Sequence, residues 1–367
     1  MSTVIAPFTT VHSPAGHFPK SPPRLSLDGK RILDHTGAEI TLKGVSWGHW
    51  DSAVEQDAID HLAQGFNHVR LPLRWWGLYG DGLSGIDARN DSSPSTAYID
   101  PGHLTTLDAN INWCTSRGIW VTLFFDSNCG QNGTQDAGTL AFCDPGTVYG
   151  ASGRNFWTDL SQRALFIEAW KFLVNRYKDY PYIAMWELLP EPSAPTGVAS
   201  VADVTAFYQQ IIDAITPIDY NKTPMLIGAQ SGYSANKIAD AFINRNIPLI
   251  YTADMFMFTQ NSNTQAQNIT NWQNRFTTIT AFRDSANVPL YINQVGVHTG
   301  DDPSQVYQTT MLDAMKAQKT AFAWWEYKDT SIDSTQYGLL YLNPINDGSY
   351  LTKTVALNLL ESYLTPW

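Results

Sequence analysis

Eight short apolar runs, each bounded by turn residues and followed by an amphipathic stretch, constrain this 367-residue chain more than any other feature. They lie at residues 40–45, 68–71, 120–125, 183–188, 224–227, 249–251, 289–292 and 320–325. Short, near-continuously apolar runs match strands buried on both faces of a parallel sheet. Helical periodicity predicts helices over 53–64, 103–117, 164–177, 201–215, 234–243, 272–285, 304–319 and 352–364, with Gly65 and Gly118 where helix stops belong. Strict alternation implies right-handed βαβ units, and eight of them can close into a (β/α)8 TIM barrel. Ahead of the barrel, LSLDGKRILDHTGAEITLKGV alternates apolar and polar residues around Asp28-Gly29 and Thr36-Gly37, which predicts a short N-terminal β-hairpin. The expected organisation is one α/β domain over residues 25–367, preceded by an extended Pro/Ser/Thr-rich arm over 1–24.

Composition narrows the partners. A net charge of −11 argues against nucleic acid, whose readers carry a basic face, and disfavours an anionic membrane surface. A hydrophobic content of 43% excludes a disordered chain. The 13 Trp, 17 Tyr and 16 Phe suit flat apolar ligand faces such as sugar rings. No apolar run is long enough for a signal peptide or a transmembrane helix, and a mature secreted form would read the same way, so the compartment stays open between secreted and cytoplasmic. The eight His residues are scattered without ligand spacing, so no metal or other cofactor is expected. Cys114 falls in a helical pattern and reads as a buried small apolar residue. Cys129 and Cys143 bracket a Gly/Asn/Asp-rich loop; they either pair, closing about 15 residues for roughly 3 kcal/mol, or are two free thiols.

In a barrel of this kind, chemistry sits where strands exit at their C-terminal ends. Those exits carry Arg70, then Glu187 and Glu191, Asp254 and Phe256, Asn293 and Gln294, and Trp325. The segments LKGVSW (42–47), GFNHVRLPLRW (65–75), WELLPEP (186–192), PLYINQVGV (289–297) and WWEYKD (324–329) together resemble glycoside hydrolase family 5, a family of retaining (β/α)8 β-glycosidases. The resemblance implies a carbohydrate substrate and hydrolysis by two carboxyl groups about 5–5.5 Å apart, one an acid/base and the other a nucleophile. It says nothing of oligomeric state.

By that resemblance Glu191 matches the acid/base, Arg70 the cation beneath the nucleophile, and Trp325 the floor of the cleaved-sugar subsite. Glu187 is expected to be a buried structural carboxylate paired with a barrel cation. His49 and Asp126, with Trp47, Trp75 and Trp76, fall on the first three loops, where cleft lining and plain packing are both open readings. The long loop 127–154 is the best candidate for a cleft wall or lid. Four residues depart from the family's pattern around one subsite. Pro190 stands where the family has an Asn that bonds the sugar 2-OH, Asp254 and Phe256 stand in the family's His-x-Tyr, and Gln294 stands in place of the nucleophilic Glu. An amide cannot form the glycosyl ester at a useful rate. Three accounts are open: a Glu→Gln form of an otherwise intact enzyme, favoured by the persistence of Glu191, Arg70 and Trp325; a natural inactive sugar-binding barrel; and a divergent glycosidase using another carboxylate, such as Asp254 or Glu326.

Overall fold

The computed structural model describes residues 22–47, 54–74, 101–126, 160–190, 200–228, 246–259, 262–329, 331–345 and 348–367. Within them, β1 (Ser26–Asp28) and β2 (Arg31–Leu33) form the expected hairpin, turning at Gly29, whose φ is +57°. Eight parallel strands then close a barrel: β3 (Lys43–Ser46), β4 (His68–Arg74), β5 (Trp120–Asp126), β6 (Ile183–Glu187), β7 (Met225–Gly228), β8 (Leu249–Asp254), β9 (Leu290–Val295) and β10 (Ala321–Trp324). Closure is made by β10 against β3, with Phe322, Ala323 and Trp324 opposite Lys43, Gly44 and Val45. Gly44 is required there: a Cβ at this position would lie 2.2 Å from the His68 carbonyl oxygen of the adjoining strand.

The helices are α1 (Glu55–Ala63), α2 (Pro101–Thr115), α3 (Leu160–Tyr177), α4 (Val201–Ile215), α5 (Gln265–Ala286), α6 (Val306–Ala317) and α7 (Thr354–Ser362). The expected helix over 234–243 lies outside the described residues. On α4 the spacing of Val204, Phe207, Tyr208, Ile211, Ile212 and Ile215 produces one continuous buried stripe, and Ser200 with Asp203 closes a capping box at its start. Helix α5 begins seven residues earlier than its apolar periodicity suggests, because Thr264 and Gln267 form a second capping box ahead of a polar first turn. The outer core lies between this helical ring and the sheet. A second core fills the barrel's lower interior, where Leu25, Ile32 and Leu42 pack with Trp120, Leu226, Ile250, Tyr291 and Ala321. The hairpin thus stoppers the end of the barrel opposite the strand exits.

Two differences from expectation bear on the site. Strands β8 and β9 run on to Asp254 and Val295, because polar residues inside a barrel read as loop in a sequence. After β10 the chain also adds a small sheet of β11 (Lys328–Asp329), β12 (Leu340–Leu342) and β13 (Tyr350–Thr352), too short and half-exposed to leave a periodic signal. Cys114 is buried as expected. Cys129 and Cys143 lie outside the described residues. No helix among the described residues is long and apolar enough to cross a membrane.

Candidate active site

The best-defined feature at the strand exits is an ion pair with no solvent contact. Arg70, pointing inward from β4, donates from Nε to Glu187 Oε2 at 2.6 Å and from Nη2 to Oε1 at 2.8 Å. Its Nη1 donates to Ser46 Oγ at 3.1 Å, and the guanidinium lies 3.5 Å from the centre of the Phe124 ring and 5.9 Å from that of Trp325. Asn293 completes the network by donating from Nδ2 to Glu187 Oε1 at 2.8 Å. Burial alone would lower the pKa of Arg70, but the Glu187 carboxylate outweighs it, so the pKa is raised and the cation is permanent. The pair has the bidentate fork geometry that offsets the desolvation of two buried charges. Glu187 is therefore the structural carboxylate the sequence suggested, and its cation is Arg70.

One layer below, His68 places Nε2 2.9 Å from Thr122 Oγ1 and Nδ1 3.4 Å from the Tyr291 hydroxyl. Burial first, then the charges of His61 and Arg70, hold its pKa well below the ordinary imidazole value, so it is neutral. Neutral polar groups thus separate the ion pair from the apolar stopper beneath.

Gln294 reaches the site through a β-bulge. Strand β9 pairs with β8 as Tyr291 to Thr252 and then Gln294 to Asp254; it pairs with β10 as Ile292 to Phe322 and then Val295 to Trp324. Against both neighbours β9 carries one extra residue. Ile292 and Val295 pack in the outer core, so Asn293 and Gln294 share a single inward step, and the bulge aims both at the barrel axis. Asp254 is the direct cross-strand partner of Gln294, and both side chains are buried. Asp254 follows Ile250 and Thr252 on the inward face of β8, near enough for its charge to act on Arg70. The main chain beyond β8 is pinned from outside. Arg275 donates to the carbonyls of Asp254 at 2.9 Å and Phe256 at 3.3 Å, and Trp272 donates to that of Met255 at 2.7 Å.

Around this floor stand the aromatic residues. Phe256 makes edge-on contacts with Trp325, centroids 6.5 Å apart, and with Tyr337 at 5.2 Å. Trp325 is half-buried, whereas Trp47 is buried against Tyr327 and Lys328. Pro190 is buried at the rim beyond β6. The carbonyl just before it, on Leu189, accepts from the Tyr208 hydroxyl at 3.0 Å, and that hydroxyl in turn accepts from the Gly228 N–H at 3.0 Å. Arg70, Asp254, Phe256, Gln294 and Trp325 thus come together at one end of the barrel, with Pro190 on the adjoining rim. Asp126 closes β5 opposite Arg74. Glu191, His49, Trp75 and Trp76 lie outside the described residues.

The sequence assigned no role to Asn293, Ser46, Phe124 or Tyr208. The first three were accessible in principle, since each lies on an inward register near Arg70 or Glu187. Tyr208 was not, because its role depends on a helix reaching two strand ends.

A closed (β/α)8 barrel with charged and aromatic side chains gathered at its strand exits defines a class of strand-end enzymes. Within that class, a family model described as cellulase (glycosyl hydrolase family 5) matches residues 33–331, and the chain belongs to that family. A curated relative, the probable glucan 1,3-beta-glucosidase A of Aspergillus fumigatus, is 29% identical over 190 residues, which is 51% of this chain and 39% of that protein. The chain thus aligns with well under half the length of that relative. Among solved structures, an endogalactoceramidase superposes with a TM-score of 0.69 at 17% identity, covering 93% of this chain and 84% of its own. The catalytic domain of the major endoglucanase from Xanthomonas campestris pv. campestris gives 0.64 at 19% identity, covering 93% and 100%.

Proposed function

We propose that this barrel binds a β-linked glycan at its strand exits and descends from a retaining β-glycosidase whose hydrolysis is disabled, or much weakened, at Gln294. The observation that carries the reading is the bulge in β9, which delivers residue 294 to the barrel axis beside Asp254. Family membership and the names of the relatives, a glucan 1,3-beta-glucosidase and an endoglucanase, support β-glucans as the first ligands to test.

In the parent reaction Glu191 protonates the leaving oxygen as a carboxylate at 294 attacks the anomeric carbon; in the second step the Glu191 carboxylate takes a proton from water, whose oxygen attacks that carbon and displaces the 294 carboxylate. Arg70, fixed by Glu187, supplies a positive field under the attacking group. Trp325 offers a face for the sugar ring. With an amide at 294 the first step has no enzyme nucleophile, while Arg70, Glu187 and Trp325 keep their arrangement. The test is Gln294→Glu. Hydrolysis of gluco-oligosaccharides should rise by several orders of magnitude, and flat activity in a folded, ligand-binding variant refutes the reading.

A second reading is favoured by one observation: a carboxylate already stands beside residue 294, at Asp254. If Asp254 carries the reaction, Asp254→Asn alone removes residual turnover.

A further inference from the structure

A β-bulge sets an extra residue outside the ladder, and something must hold it there. In β9 regular pairing resumes just past the bulge: the Met255 N–H donates to the Gln294 carbonyl at 2.8 Å, and the Trp325 N–H to that of Val295 at 2.7 Å. Asn293 lies immediately before this point. Its N–H donates to a side chain, the Thr252 hydroxyl of β8, at 3.3 Å. Its carboxamide reaches across to β6, where Nδ2 donates to Glu187 Oε1 at 2.8 Å. The same oxygen accepts from Arg70 Nη2 at 2.8 Å. One carboxylate oxygen, on a strand three places away round the barrel, therefore fixes both the guanidinium and the neighbour of residue 294. Period-two alternation would send adjacent side chains to opposite faces of the strand. Here both point inward, so a shift of Asn293 carries residue 294 with it. Asn293 is 1% exposed, so water does not compete for its bond. The position demands a neutral donor. A carboxylate there would face Glu187 charge to charge, an apolar side chain would give it nothing, and a cation would compete with Arg70 for the same oxygen.

We propose that Asn293 is a positioning residue: by donating to Glu187 it holds the β9 bulge so that residue 294 stands at a fixed place relative to the Arg70 cation. This rests on the reading that residue 294 occupies the nucleophile place. Asn293 acts through its neighbour, not on the sugar. A carboxylate at 294 has to meet the anomeric carbon at about 3–3.5 Å along the line of the breaking bond, and a displacement near 1 Å costs on the order of 10²-fold in rate. Releasing the bulge therefore slows attack while the sugar's own binding contacts stay in place.

The experiment measures attack by residue 294 directly. In the Gln294→Glu chain, a dinitrophenyl β-gluco-oligosaccharide loses its phenolate without a proton from any acid, so the pre-steady-state burst reports nucleophilic attack alone. Asn293→Leu in that chain keeps the side chain's shape but has no donor. It should slow the burst on the order of 10²-fold at every pH, with the dissociation constant of the substrate little changed. Asn293→Asp sets a second carboxyl among Glu187, Arg70 and Asp254, the charged groups gathered there on β6, β4 and β8. Holding its proton, that carboxyl donates to Glu187 as the amide does, so in mild acid the burst should match that of the chain with Asn293 at the same pH. Once the proton is lost the two carboxylates repel, and the burst should fall toward that of the leucine variant. A residue that only fills the core would show neither the recovery in acid nor a loss confined to the rate of attack. A folded Asn293→Leu chain with an undiminished burst overturns the proposal. So does an Asn293→Asp chain whose burst in mild acid stays on the order of 10²-fold low, and this variant decides alone should the leucine variant not fold. Both results leave residue 294 in the nucleophile place. A Gln294→Glu chain that binds the oligosaccharide but shows no burst overturns that reading and the proposal together.

Discussion

Replacing Glu187 by Gln probes the buried network that supports the site. Both Glu187 oxygens act only as acceptors, Oε2 from Arg70 Nε and Oε1 from both Arg70 Nη2 and Asn293 Nδ2. A Gln of the same shape must turn an NH2 toward at least one of these donors. That loses one or two hydrogen bonds to a charged group, at about 1.5–3 kcal/mol each. It also leaves the Arg70 charge, 0% exposed, without its counter-ion. Breaking a buried pair from one side costs about 3–5 kcal/mol in all. Equilibrium urea unfolding at neutral pH, followed by tryptophan fluorescence, should show a loss in that range. The paired change Arg70→Met with Glu187→Leu should cost less than Glu187→Gln alone, because it removes both charges together. A loss below about 1 kcal/mol for Glu187→Gln, or a double variant worse than the single one, would refute the account of this pair as a mutually dependent unit.

Burial pushes the His61 imidazole down to about 4 and holds His68 well below its ordinary value, so the unfolded chain binds more protons than the fold below about pH 6.5. Stability should therefore fall as pH drops from 6.5 toward 4, with His61 alone contributing on the order of 3 kcal/mol; a flat urea midpoint across that window contradicts the assignment. Gly44→Ala should prevent correct closure of β3 on β4, since its Cβ would meet a backbone carbonyl; soluble expression with unchanged circular dichroism and melting would contradict this. Tyr208→Phe leaves the Gly228 N–H without its acceptor and should cost about 1–3 kcal/mol in chemical denaturation.

Much of the barrel was legible because parallel strands buried on both faces leave apolar runs, and glycines mark the helix stops. The ends of β8 and β9 were not, because Asp254, Asn293 and Gln294 are polar residues that read as loop although the barrel buries them. Asn293 meets Glu187 across 106 positions, a pairing that no local pattern encodes. The bulge is invisible for a related reason: an extra residue in β9 shows only against the registers of β8 and β10. Glu187 could be assigned as structural, since a carboxylate inside a barrel strand demands a cation, and Arg70 was at hand. The sheet β11–β13 escaped because three short strands, one of only two residues, offer no period to read.

The central claim is that residue 294 occupies the nucleophile place of a family 5 glycan site and that its amide is what disables hydrolysis of ordinary β-glucosides. Steady-state hydrolysis of gluco-oligosaccharides by Gln294→Glu, beside the unmodified chain, tests it most directly. The account predicts a gain of several orders of magnitude in kcat/KM with oligosaccharide binding little changed. Equal, negligible rates in a variant that folds and still binds the oligosaccharide would contradict it.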